Sequence, residues 1–193
     1  LLCKVDICKI TMKFSLLIAV YCLVSFSYGQ NDTISWNGYY SYFKVKQIER
    51  NQGELIVAAE NSFFKYDLNN GNLKKFSTVQ GLSGDEISVI KEVQDNNLIL
   101  IGYQNGLIQV LNTITNEIKF VVDILDTQTI SPDQKQINQF IIHENLAYIA
   151  TDFGIATYNL ENLEFNDTFF IGDSGQEIIV NQITIQNDII YAA

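Results

Sequence analysis

Residues Ile56–Leu68 read IVAAENSFFKYDL, and they align without a gap on Tyr148–Leu160, which read YIATDFGIATYNL. A third copy, Leu100–Asn112 (LIGYQNGLIQVLN), lies between them, 44 positions after the first and 48 positions before the last. A further copy begins at Tyr191. Self-similarity at a nearly constant spacing is the sequence signature of an array in which each repeat is one supersecondary unit.

A second segment repeats ahead of the first one. Ile137–Asn145 matches Val180–Asp188, 43 positions later, and two earlier segments occupy the same place in their units, Val45–Ile48 and Ile87–Ile90. Each unit of 43 to 48 residues therefore contains four short apolar or aromatic runs. This is the size and composition of one four-stranded propeller blade.

The repeats also assign a role to individual positions. The second strand of each unit carries a small residue where strands crowd around a central channel: Ala58, Gly102 and Ala150. A tight turn is predicted next, and the third strand is predicted to carry an equivalent large residue: Ser62, Gly106 and Gly154, then Tyr66, Val110 and Tyr158. The fourth strands are predicted over 73–78, 118–122 and 164–170, with Asn70-Gly71 as a hairpin turn.

The sequence predicts an all-β fold, a β-propeller of four-stranded blades that is incomplete here, with three blades and the start of a fourth. Helical repeats of this period need apolar residues three and four positions apart, and these runs lack that spacing. A β-sandwich, the other alternative, does not require near-identical units. An open blade would expose an unpaired sheet edge.

Composition and charge narrow the classes of partner. Apolar residues make up 47% of the chain, and the formal net charge is −10. A chain this acidic is repelled by nucleic acid and by anionic membrane surfaces, so no nucleic-acid partner is predicted. All three cysteines lie in the first 22 residues, which excludes a thiol nucleophile and a cysteine zinc site from the rest of the chain: Cys3, Cys8 and Cys22.

The N-terminal region has the features of an export signal. Met12-Lys13 precedes an apolar run over 14–24, and small residues, Ser27 and Gly29, stand at the −3 and −1 positions of a cleavage site. The run is short for a membrane span, although an uncleaved anchor is the alternative. We predict upstream translated sequence over 1–11, a signal peptide over 12–29, and a partial N-terminal propeller domain over 30–193 of an exported protein.

Four features could carry chemistry, and each has a simpler structural explanation. His143 is the only histidine and is predicted to be an exposed turn residue. Asp67–Gly71 resembles a calcium loop but lacks a distal glutamate, so a hairpin is favoured. Asp85-Glu86 is predicted to be a solvated loop. The aromatic cluster could stack on sugars, yet packing is favoured: Trp36, Tyr39, Tyr40 and Tyr42. No catalytic, cofactor-binding or metal-binding residue is predicted, and ligand-binding residues are left open.

Three segments together resemble the family of PorZ N-terminal propellers from the type IX secretion system: Trp36–Tyr42, Gly81-Leu82-Ser83 and Ala150–Ile155. The resemblance implies a non-enzymatic accessory protein at the cell surface or outer membrane. Its implied partners are the surface sortase, other secretion components and anionic lipopolysaccharide, which it would present to the sortase.

Two alternatives remain open. The blades are also similar to two-component-regulator propeller repeats, which implies a ligand-sensing domain of a hybrid two-component regulator. A propeller enzyme such as a polysaccharide lyase or glycosidase would need convergent acidic and basic residues at the mouth of the channel.

Overall fold

A computed structural model describes Tyr40 and residues 42–193 of the chain. The predictions for residues 1–39, including the signal peptide, the cysteines, Trp36 and Tyr39, lie outside the described residues. The described part forms four antiparallel sheets, three with four strands and one with two. In every four-stranded sheet the strands are neighbours in chain order. This arrangement confirms the predicted all-β propeller with three blades and the start of a fourth.

Each repeat unit corresponds to one blade, and the three aligned segments all begin in its second strand. The first blade contains β1 (Val45–Asn51), β2 (Glu54–Ala59), β3 (Phe63–Asp67) and β4 (Leu73–Phe76). The second contains β5 (Ile87–Val93), β6 (Leu98–Tyr103), β7 (Ile108–Asn112) and β8 (Ile118–Val121). The third contains β9 (Ile137–His143), β10 (Leu146–Thr151), β11 (Gly154–Asn159) and β12 (Glu164–Phe169), and the last sheet contains β13 (Ile183–Gln186) and β14 (Ile189–Ala192).

Short helical turns occupy the connections between blades. They are a 3₁₀ turn at Thr78–Gln80, helix α1 at Asp123–Asp126 and a second 3₁₀ turn at Pro132–Gln134. The Ser77 hydroxyl accepts a hydrogen bond from the N–H of Val79, which begins the first turn directly after β4. For this reason β4 ends at Phe76 and not at Thr78 as predicted. No helix in the described part is long and apolar enough to cross a membrane.

The structure corrects the predicted equivalence of the third strands by one residue. Tyr66 lies opposite Leu55, and Tyr158 lies opposite Ala147, but the residue at this place in the second blade is Leu111, opposite Ile99. Val110, the predicted equivalent, is therefore one position off. The cause is one additional residue in the β6–β7 loop, which a gapless alignment cannot show. Gly154 also differs from its prediction, because it is the first residue of β11 and not part of the turn.

The small residues of the second strands are explained by contact between blades. A Cβ atom added to Gly102 would lie 2.7 Å from Cγ2 of Ile137, a residue of the next blade. Ala58 and Ala150 are fully buried at the equivalent positions. The crowding predicted for these sites therefore comes from the innermost strand of the following blade. Apolar side chains fill each gap between successive blades and form three separate core clusters.

The innermost strands β5 and β13 each donate a backbone hydrogen bond to a glutamine side chain of the preceding blade. Oε1 of Gln47 accepts the N–H of Ile90 at 2.8 Å, and Oε1 of Gln139 accepts the N–H of Ile183 at 2.7 Å. The equivalent position in the second blade is Val89, which cannot accept a hydrogen bond; each of the three lies opposite the small residue of its second strand. These side chains satisfy backbone donors on strands that would otherwise be open edges.

Candidate functional site

A polar cleft separates the first two blades beside their β1–β2 and β5–β6 turns, and we call it the interblade cleft. We refer to this half of each blade as the lower half and to the opposite half as the upper half. The cleft has a volume of about 550 Å³. Side chains of both blades line it, from the ends of β1 and β5 and from the hairpin turns beside them: Asn51, Gln52, Glu54, Lys65, Asp67, Asn69, Glu92, Val93, Gln94, Asp95, Asn97 and Thr113. Its lining is a mixture of carboxylates and amides with one lysine, so the cleft is strongly polar.

Lys65 on β3 makes two ion pairs at the wall of the interblade cleft, and one of them joins the two blades. Its Nζ atom lies 2.6 Å from Oε2 of Glu54 in the same blade and 2.9 Å from Oε1 of Glu92 in the next. The second oxygen of Glu92 accepts a hydrogen bond from Nδ2 of Asn51 at 2.6 Å. Only 16% of the Lys65 side chain and 11% of the Glu92 side chain are exposed, so this is a largely buried ion-pair network across the interface.

The network fixes the charge state of Lys65. Burial lowers the pKa of this ammonium, but the hydrogen bonds and negative charges of Glu54 and Glu92 outweigh burial, so the pKa lies above its usual value. The lysine is therefore charged at neutral pH. Both carboxylates therefore serve as partners of this ammonium within the network.

A second ion pair links the same two blades between β1 and β5. The Glu49 carboxylate bonds the ammonium of Lys91, and its Oε2 atom accepts the N–H of Glu92 at 3.0 Å. Carboxylates outnumber ammonium groups around the interblade cleft, so its chemistry suits a polar or cationic group and repels an anion.

The sequence alone does not predict this cleft, because its members come from different repeats. Lys65 and Glu92 are 27 residues apart, and no local motif connects them. In the register of the strands Lys65 stands where the second blade has Val110, whereas the gapless alignment of the repeats pairs Val110 with Tyr66. A charged residue at a position that is apolar in a neighbouring repeat marks a place where the blades differ.

Several lysines on the opposite side of the first two blades are also paired. Nζ of Lys44 lies 2.6 Å from Oε1 of Glu60, and Lys46 binds Glu86. The Lys46 ammonium holds the pKa of the Glu86 carboxyl below its usual value. Asp85 and Glu86 lie in the loop before β5 and are exposed, as predicted, but Glu86 has a defined cationic partner.

His143 and Asp67 have structural roles in the described residues. His143 is the last residue of β9, half-buried and not an exposed turn residue as predicted, and its Nε2 atom lies 3.3 Å from Oδ1 of Asp188. Oδ1 of Asp67 accepts the N–H of Asn69 at 2.8 Å, and Gly71 has a φ of +75°. This is the hairpin that the sequence favoured over a calcium loop. No group of three potential metal ligands occurs among the described residues.

The described members of the aromatic cluster make contacts within the protein. The Tyr42 ring packs edge-to-face on Phe64, with ring centroids 5.2 Å apart, and the Tyr40 hydroxyl bonds the Thr78 hydroxyl. Phe64 belongs to the first blade. The preference for packing over sugar stacking is therefore supported for Tyr42, although its partner is not a neighbouring blade as predicted.

Comparison with known protein families gives one match that covers most of the chain. The model of the N-terminal β-propeller domain of PorZ, from the type IX secretion system (TSS9), matches residues 55–193. A search among curated proteins found no match.

Solved structures with a similar fold include natural and designed propellers. PorZ of Porphyromonas gingivalis, described as an essential bacterial surface component of the type IX secretion system, superimposes with a TM-score of 0.69 over 81% of this chain at 19% identity. The extracellular domain of a hybrid two-component system from B. thetaiotaomicron gives 0.59 over 77% at 17% identity. The designed protein Ika4 gives 0.58 over 82% at 13% identity, and the match covers 88% of it.

These identities show a shared fold and no more. The chain spans about a fifth of the two natural proteins, 20% of PorZ and 19% of the two-component protein.

Proposed function

The chain belongs to the family of PorZ N-terminal β-propeller domains of the type IX secretion system, and on that premise we propose that it is an exported, non-enzymatic binding module at the cell surface. The observation that carries this proposal is the family match over residues 55–193, which includes all of β3 to β14 and nearly all of β2. The three complete blades support it, because a propeller offers rigid loops for binding at both ends of its strands.

We assign to the whole protein the presentation of anionic lipopolysaccharide to the surface sortase, together with contacts to other secretion components. The distribution of charge limits where this propeller could touch such a ligand. The carboxylates of the interblade cleft repel an anion, and Lys44, Lys46, Lys65 and Lys91 are each paired with a glutamate. The propeller therefore serves best as the surface that contacts protein partners.

The absence of an enzymatic role is also a proposal. In the interblade cleft Lys65 binds both Glu54 and Glu92, and this pairing supports a structural role for these two carboxylates. We expect purified full-length protein to show no hydrolase or lyase turnover on polysaccharides above background.

The alternative function is ligand sensing in a hybrid two-component regulator. The shared fold with an extracellular domain of such a system supports this alternative. The two functions differ in what the loss of the protein would change, which is attachment of secreted cargo in one case and gene expression in response to a ligand in the other.

Deletion of the gene in its source bacterium distinguishes these functions. We expect secreted cargo to accumulate without its lipopolysaccharide anchor, and a plasmid copy of the full-length gene to restore anchoring. A matched control is a full-length copy carrying Tyr66→Phe, which changes one exposed side chain and should also restore it. Normal anchoring in the deletion strain would refute the secretion function, and a change confined to ligand-induced transcription would favour the sensor.

A further inference from the structure

Two Asn-Gly pairs lie in hairpin turns of the described residues, and the structure places them in opposite surroundings. Asn70-Gly71 lies between β3 and β4 of the first blade, and Asn105-Gly106 lies between β6 and β7 of the second. An asparagine before a glycine is prone to react with its own backbone, because glycine has no side chain to shield the next peptide nitrogen. The two pairs therefore expose the same chemistry to two environments.

The reaction is an intramolecular attack that releases ammonia. The glycine nitrogen loses its proton to water and bonds to Cγ of the asparagine. The Cγ–Nδ2 bond breaks, the leaving nitrogen takes up a proton, and a five-membered succinimide ring remains. Water then opens one of the two ring carbonyls. The products are aspartate and isoaspartate, and in isoaspartate the main chain runs through the side chain and is one methylene longer.

The first pair meets the requirements of this reaction. Every residue over 68–72 is exposed. A Cβ atom added to Gly71 would meet only the hydroxyl of Tyr66, at 3.8 Å, so the ring has room to form. Oδ1 of Asn70 accepts the N–H of Asn72 at 2.8 Å, and this donor stabilises the negative charge that develops on the oxygen during the attack.

The second pair is covered by another part of the chain. Asn105 is half-buried and Gly106 is buried. A Cβ atom added to Gly106 would lie 2.7 Å from Cγ2 of Ile124 and 3.1 Å from the carbonyl oxygen of Lys135. The connection between the second and third blades therefore fills the space that the ring would need.

The backbone hydrogen bonds of the two pairs are of the same kind. The N–H of Gly71 donates to the carbonyl oxygen of Asp67 at 2.9 Å, and the N–H of Gly106 donates to that of Tyr103 at 3.2 Å. Each bond must open before the nitrogen can attack. Opening costs little at an exposed hairpin tip and more beneath a packed connection, so burial decides between the two sites.

We propose that Asn70 is a site of spontaneous deamidation to aspartate and isoaspartate, and that the fold protects Asn105 from the same reaction. The substrate is the asparagine itself and the co-reactant is water. No enzyme is required, because both reacting groups belong to neighbouring residues of one turn.

The modification would act on the interblade cleft. Asp67 and Asn69, on the same hairpin as Asn70, line the cleft. The N–H of Leu68 donates to the carbonyl oxygen of Gly53 at 2.7 Å, which fastens the hairpin to the β1–β2 turn. Deamidation adds a carboxylate beside the cleft, and isoaspartate lengthens the chain close to this contact. The inference therefore predicts a more negative and looser lower half of the first blade.

The test is prolonged incubation of the purified full-length protein in mildly alkaline buffer, folded and in denaturing urea. Tryptic digestion isolates the first site in the peptide Tyr66–Lys74, and mass spectrometry with electron-transfer fragmentation separates aspartate from isoaspartate. In urea we expect similar rates at both sites, because each is an asparagine before a glycine. In the folded protein Asn70 should react at least about tenfold faster than Asn105.

Two variants assign the site and its consequence. Asn70→Gln should abolish conversion in the peptide, because the longer side chain would have to form a six-membered ring, and conversion that persists would belong to Asn69 or Asn72. Asn70→Asp adds the charge alone, since its Oδ1 still accepts the N–H of Asn72. Hydrogen exchange over 67–72 should therefore stay slow in Asn70→Asp and increase in aged protein that contains isoaspartate.

Equal rates at Asn70 and Asn105 in the folded protein would overturn the inference, and so would an unreactive Asn70 in folded protein while the urea-treated sample converts. Unchanged hydrogen exchange in the isoaspartate form would overturn the predicted loosening. The inference is separate from the secretion role, because the reaction requires only this chain and water.

Discussion

The two complete interfaces between blades have the same backbone geometry but opposite chemistry in their lower halves. Between the first and second blades this region contains a buried ion-pair network, and between the second and third it is part of the largest apolar cluster. The register of the strands makes the residues equivalent one by one: Glu54 with Leu98, Lys65 with Val110, Asn51 with Val93, and Glu92 with Ile142. The fold therefore requires that this space be filled, but not that it be filled with apolar side chains.

The difference also shows which positions the repeat holds constant. Each blade retains the small residue of its second strand, which is Ala58, Gly102 or Ala150. These residues lie in the upper half, where an apolar residue of the next innermost strand, such as Ile137 beside Gly102, approaches closely. In the lower half a buried ion pair contributes little net stability over an apolar pair, because desolvation offsets attraction. That half is consequently free to vary between blades.

The largest effect that we expect comes from truncating an innermost-strand residue at the apolar interface. Phe140→Ala removes a ring that is 2% exposed and should destabilise the chain by about 3–5 kcal/mol. Ile48→Ala is the matched control, since Ile48 occupies the same place in the first blade but is 62% exposed, and it should cost less than about 1 kcal/mol. Urea unfolding followed by circular dichroism measures both. Equal losses of stability in the two variants would mean that the Ile48 side chain is buried in solution.

A smaller effect is expected from breaking the polar interface. Lys65→Ala leaves Glu54 and Glu92 without their cation and should cost about 2–4 kcal/mol, somewhat below a fully buried pair because the network is partly exposed. The double variant Lys65→Val with Glu92→Ile places here the residues that occupy these positions between the second and third blades. It should recover most of the stability that Lys65→Ala loses. If the double variant is no more stable than Lys65→Ala, the two interfaces are not interchangeable as their register indicates.

The smallest effect is a difference in pH dependence between the interfaces. The folded pKa of Lys65 is raised above 10.5, so the stability from its ion pairs is complete below pH 10.5 and is lost as the pH rises through the folded value. Each interface also holds a buried tyrosine with a raised pKa, about 12 for Tyr103, so loss of stability from tyrosine ionisation affects both. Hydrogen exchange at alkaline pH should open β1–β4 before β9–β12, and Lys65→Met should remove the difference.

Most of the fold could be predicted from the sequence because the repeats report packing that recurs. Ala58, Gly102 and Ala150 signal the same close approach of strands in each blade, and their spacing gives the blade size. The register of the third strand could not be predicted, because the extra residue in the β6–β7 loop leaves no local mark. The end of β4 depends on the cap that Ser77 forms, which a strand pattern does not contain.

The interblade cleft could not be predicted, for a related reason. Its chemistry depends on pairs from different blades, such as Lys65 with Glu92 and Asn51 with Glu92. Alignment of repeats compares equivalent positions, whereas a groove is built from positions that are not equivalent. The useful signal is a difference in residue type at equivalent positions of two repeats, as for Lys65 and Val110 or Tyr158 and Leu111. These positions can be recognised as equivalent only when the register of the strands is known.

The glutamine contacts of the innermost strands give the array a polarity. In both contacts the acceptor belongs to the earlier blade and the donor to the later one, Gln47 with Ile90 and Gln139 with Ile183. A chain that emerges amino terminus first therefore has the acceptor in place before β5 and β13 form. Synthesis in the opposite order would leave these two backbone donors unpaired until the earlier blade formed.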